Sequence, residues 1–110
     1  MRIGIAQLIL LIAEYSGVSV GDLLGRDRTR YTVLARHAAI IVLRERAGLT
    51  YPHIARIMGN RNHATAMYAV KKDRCGDLKN LIDDINRELD MYVQRTGVYT
   101  PRDSNDEVAK

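Results

Sequence analysis

Phenylalanine and tryptophan are both missing from these 110 residues, cysteine occurs once and proline twice. Each shortage removes a class of molecule. Without the two largest aromatics, aliphatics, methionine and tyrosine must fill the core, which suits a small helical bundle and argues against an aromatic-lined ligand cavity. Cys75 alone forms no intrachain disulfide, so the sequence reads as that of a protein from a reducing, cytoplasmic compartment. His37, His53, His63 and Cys75 show no zinc-ligand spacing, and no metal or other cofactor is expected. The acidic pairs Asp83-Asp84 and Glu88-Asp90 fall on one polar helix face with no nucleophile or base converging on them, so neither an enzyme nor a small-molecule substrate is expected.

Long hydrophobic runs are scarce as well. Ile3 to Ala13 is apolar apart from Gly4 and Gln7, but a bilayer span needs about 20 residues. One preceding arginine and no small-residue cleavage site argue against a signal peptide. The segment reads as an amphipathic core helix, and no membrane partner is expected. No G-x-x-x-x-G-K-[ST] loop occurs in this chain, so no ATP-driven assembly is expected of it acting alone.

What is present is basic charge, unevenly placed. The net charge is +4, yet residues 26–74 hold 11 Lys/Arg against 3 Asp/Glu, whereas residues 76–110 hold 5 against 8. A positive footprint of this kind attracts phosphates irrespective of sequence. The length suits one domain, here residues 1–96, followed by a flexible polar tail over 97–110.

Apolar residues recur at spacings of three and four and strand-like alternation is rare, so the fold class is all-α. Helices are expected over Ile3–Tyr15, with Ile5, Leu8, Ile9 and Ile12 inward, and as a short turn over Val20–Leu24 capped by Ser19. The arginine-bearing loop Gly25–Arg30 follows. Val33–Ala47 forms a longer helix stopped by Gly48, and Thr50 caps the next one, with Pro52 in its first turn. Gly59 ends that helix in a sharp bend. The following helix runs from Asn62 to about Arg74 and is broken by Gly76. An amphipathic helix over Asp77–Gln94 completes the bundle.

The segment around Gly59 is a helix-turn-helix. Ile54, Ala55 and Met58 face a core on one side of the bend, and Ala66, Ala69 and Val70 do so on the other. At about 100° per residue Arg61, Tyr68, Lys71 and Lys72 gather on the opposite side, with Thr65 at its edge. This surface is basic and hydrogen-bonding, and double-stranded DNA is the leading partner. Arg30, Arg61, Lys71 and Lys72 are expected on phosphates.

Val18 to Leu24, the arginine loop, Ala35-Arg36-His37, Leu49 to Ile54 and Gly59 to Thr65 together resemble the C-terminal DNA-binding domain of the bacterial replication initiator DnaA, over roughly residues 5 to 95. The resemblance implies a Trp-repressor-like helical bundle that reads short asymmetric duplex sites. It places Arg28 in a minor groove. Asn62, His63, Ala64 and Thr65 match positions on bases and nearby phosphates in the major groove. Arg44, Pro52, Tyr68 and Lys71 match positions near the backbone. Where the family has Asp-His-Thr-Thr, this chain has Asn62-His63-Ala64-Thr65, exchanging an acceptor-only carboxylate for an amide and removing one hydroxyl. Base preference is therefore open to change.

Each of these residues also has a plainer reading. Asn62 is a good helix N-cap on any protein, His63 an ordinary surface histidine, and Tyr68 a packing residue. The implied role is regulation of replication initiation or transcription by site occupation at the nucleoid. A helical protein-interaction adaptor and a nonspecific architectural DNA protein are the alternatives. Ile3, Leu10 and Leu11 add apolar surface outside the first helix's inward stripe, which is either covered by the last helix or used by a homodimer or other protein partner.

Overall fold

The computed structural model describes residues 3–97, and among them six helices and no strand: α1 (Ile5–Ser16), α2 (Val20–Leu24), α3 (Arg30–Arg46), α4 (Tyr51–Ile57), α5 (His63–Lys71) and α6 (Gly76–Thr96). Helix α3 is the hub and packs against all five others. Its run from Ala38 to Leu43 is buried without interruption, which is why no one-sided stripe dominates its sequence. A helix covered on every side has no outer face to keep polar.

The remaining helices pair around it. Helices α4 and α5 form the helix-turn-helix on one side, while α1 and α6 close the other. Ile3 and Leu11 are buried, so most of the surplus apolar surface of α1 is used within the domain; Leu10 stays half exposed. Arg46 of α3 meets Asp90 of α6 at 2.9 Å, and Leu78, Leu81, Ile82, Ile85 and Leu89 give α6 its buried stripe.

Helix ends differ from the sequence reading by one to three residues at several places, α1 for instance starting at Ile5 and α6 ending at Thr96, and three of the differences bear on the site. Helix α3 begins at Arg30 rather than Val33, because the Asp27 carboxylate accepts from the Thr29 hydroxyl at 3.0 Å and the Thr29 N–H at 3.4 Å, organising the turn ahead of the helix. Arg30 therefore stands on a helix and not in the loop. Helix α5 stops at Lys71 rather than near Arg74: Lys72 turns extended, and the Arg74 guanidinium is drawn 2.6 Å from Glu45 on α3. Gly76 opens α6 instead of breaking α5. Of the expected 97–110 tail, residues 98–110 lie outside the described residues.

Candidate nucleic-acid interface

The start of α5 is fixed by local chemistry. Asn62 adopts an extended conformation and its side-chain oxygen accepts from the Ala64 N–H at 2.8 Å, satisfying one of the donors that a helix start leaves open. His63, Ala64 and Thr65 follow on the first turn and all are exposed. Behind them, Ala66 and Ala69 are buried against the core.

The bend that presents this turn needs two left-handed residues, Gly59 at φ 96° and Asn60 at φ 58°. Gly59 also meets a second constraint. A Cβ there would lie 2.1 Å from the carbonyl oxygen of Leu24, at the end of α2. The bend is thus pressed against the root of the arginine loop. Arg61 ties the same junction: its Nε donates to the Met58 carbonyl at 2.6 Å and its Nη2 to the Gly25 carbonyl.

A second arginine holds the loop from the other side. Arg36 is buried, donating from Nε to the Leu23 carbonyl at 2.9 Å and from Nη2 to the Asp22 carbonyl at 2.8 Å. It therefore caps the last carbonyls of α2 with a charge that suits a helix C-terminus. Burial pushes the pKa of both Arg36 and Arg61 down, with neighbouring arginines adding to it, though a guanidinium keeps its charge in either place. The hydroxyls of Thr32 and Thr29 hold the Asp27 carboxyl below its usual range.

These braces produce one continuous surface. Arg26 and Arg28 of the loop, Arg36 and His37 of α3, Arg61 of the bend and Thr65 of α5 line a single groove of about 240 Å³, with Val33 and Ile40 completing it. Arg61 also borders a second, shallower depression, shared with Pro52, Ala55 and Arg56 of α4, Asn60 of the bend, and Asn62 and His63. On the far side of His37, the Tyr68 ring sits edge-on at 6.2 Å, and the Lys72 ammonium lies 3.4 Å from His37 Nδ1 and 5.7 Å from the Tyr68 ring. Loop and helix start are neighbours.

The sequence-derived candidates divide into three groups, apart from Lys72, which lies against His37 and Tyr68. Arg28 and Thr65 line the groove, and Pro52, Asn62 and His63 line the adjoining depression. Arg30, Ala64, Tyr68 and Lys71 are exposed without lining either. Arg44 and Arg61 have internal partners: the Arg44 guanidinium stacks 4.5 Å over the Tyr51 ring and donates to the Leu49 carbonyl at 2.7 Å, holding the start of α4. Arg36, His37, Asp27 and the Gly59–Leu24 contact did not emerge as site elements from the sequence, since each depends on a partner distant in the chain or on a turn whose form was not specified.

The family model of the bacterial dnaA protein helix-turn-helix matches residues 5–72. The chain belongs to this DNA-binding family. Chromosomal replication initiator proteins DnaA share the region: that of Leifsonia xyli subsp. xyli is 39% identical over 66 residues, covering 60% of this chain and 14% of that protein. The protein from Clavibacter sepedonicus is 42% identical over 60 residues, 54% of this chain and 13% of its own length. That of Chloroflexus aggregans is 32% identical over 71 residues, 64% of this chain and 15% of its own. The matched region thus spans about one seventh of these relatives. The family model's match ends at Lys72, so α6 lies beyond it. Among the described residues no helix is long and apolar enough to cross a membrane.

Proposed function

We propose that this protein binds double-stranded DNA with sequence preference, at sites resembling those of DnaA, and regulates replication initiation or transcription by occupying them without an ATPase step. The observation that carries the reading is the shared groove: Arg26 and Arg28 stand on the same surface as Thr65, next to the depression holding Asn62 and His63. A recognition helix in a major groove would place an adjacent basic loop over the neighbouring minor groove, whose concentrated negative potential favours a guanidinium. Arg28 then reads the minor groove. Asn62, His63, Ala64 and Thr65 face bases or nearby phosphates, and Arg30, Pro52, Tyr68, Lys71 and Lys72 approach the backbone. Arg44 and Arg61 act mainly by holding α4 and the bend, with their charge adding to the field.

Selection from a randomised duplex library tests the reading. An enriched motif several base pairs long is expected. Salt-sensitive binding with no enrichment would reduce the protein to a nonspecific DNA binder, and no mobility shift at about 50 mM salt would favour the adaptor alternative.

A further inference from the structure

Among the residues lining the groove one is neither permanently charged nor apolar nor a hydroxyl. His37 projects from α3, half buried, between the arginine loop and the C-terminal part of α5. The groove it lines is cationic, with Arg36 from its own helix, Arg26 and Arg28 from the loop and Arg61 from the bend, while the Lys72 ammonium just beyond the end of α5 reaches its ring and the Tyr68 ring lies edge-on. The one carboxylate of the loop, Asp27, is occupied by Thr29, and no carboxylate is among the groove's lining residues.

Two consequences follow for the free protein. A lysine ammonium has only protons to give, so the 3.4 Å approach of Lys72 Nζ to His37 Nδ1 is a hydrogen bond only with Nδ1 unprotonated, the form that burial and the nearby positive charge favour. Burial first, then Lys72 and Arg36, push its pKa below 6.5. A phosphate entering the groove reverses both conditions. Its oxygens offer Lys72 a better acceptor, which releases Nδ1, and its negative charge favours a protonated ring.

We propose that His37 takes up a proton when a DNA phosphate enters this groove, becoming a pH-dependent phosphate donor as Lys72 transfers its hydrogen bond from the ring to the phosphate. The inference rests on the DNA-binding reading above. Free protein and complex then differ by one proton between two pKa values, the free one below and the bound one above. Within that window affinity rises as pH falls, by at most about tenfold per pH unit for a single proton, and outside it His37 adds no slope.

The test measures the Kd of the full chain for a random-sequence duplex of about 20 base pairs between pH 5.5 and 8 at fixed salt, for the wild type and His37→Gln. Ring-proton NMR follows His37 in the free and duplex-saturated wild type. The expected result is a wild-type affinity that climbs on acidification, a clearly shallower slope in H37Q, and a His37 midpoint higher in the complex than in the free protein. Any slope left in H37Q arises from groups other than His37. Equal slopes, or a His37 midpoint that duplex does not raise, would overturn the proton linkage while leaving DNA binding intact. Absence of binding at every pH would overturn both. The NMR arm uses wild-type protein and remains decisive if H37Q folds poorly.

Discussion

Four arginines line the groove and a fifth, Arg30, opens α3 after the loop, and the five divide by what their side chains touch. Arg36 and Arg61 donate to backbone carbonyls at the end of α2, at the root of the loop and in the bend. Arg26, Arg28 and Arg30 are exposed, and among the described residues their side chains have no hydrogen-bond or ion-pair partner. The inner pair builds the frame and the outer three remain available to a ligand. One residue type thus serves two purposes around one groove, and burial separates them: a guanidinium removed from water requires hydrogen-bond partners, whereas one left in water can exchange its hydration for a phosphate.

That division gives variants with opposite signatures. Gly59→Ala should have the largest effect, a loss of about 3 kcal/mol in unfolding free energy, because it forces a side chain into left-handed backbone and against the Leu24 carbonyl. Denaturant titration measures it. Arg36→Ala comes next, with about 1–3 kcal/mol of stability lost as the Asp22 and Leu23 carbonyls lose their donor. A variant as stable as the wild type would show that the inner arginine is not structural. Arg28→Ala should leave the melting curve unchanged and instead cost about 1–3 kcal/mol of DNA affinity with relaxed selectivity, read by repeating the library selection. Lys71→Ala is the mildest: binding weakens equally on all sequences, and the slope of log affinity against log salt falls by about one.

His37 adds a pH signature to the same comparison. Its depressed pKa means that the folded protein resists protonation more than the unfolded chain does. The stability this contributes is complete above the unfolded value near 6.5 and is lost as pH falls through the lower folded value. Acidification from pH 7 should therefore lower the melting temperature of the free protein, and less so in H37Q.

The sequence carried the parts of this arrangement that depend on near neighbours. The apolar spacing of Ile54, Ala55 and Met58, the caps at Ser19, Thr50 and Asn62, and the bend at Gly59 are all chosen within a few residues. What it did not disclose was contact across the chain. The buried Arg36 looks like any charged residue in a helix until its two carbonyl partners are known, and the tie from Arg61 to Gly25 is equally invisible along the chain. The end of α5 is hidden for the same reason, since nothing local announces that Arg74 turns away to Glu45.

The central claim is that the arginine loop and the first turn of α5 engage one duplex together. Backbone amide NMR shifts recorded as duplex is added test this most directly. Residues 26–30 and 62–68 should move in concert to a common saturation point while α1 and the outer face of α6 stay still. Shifts that concentrate on α1 or α6, or that affect one of the two segments and leave the other unmoved, would contradict it.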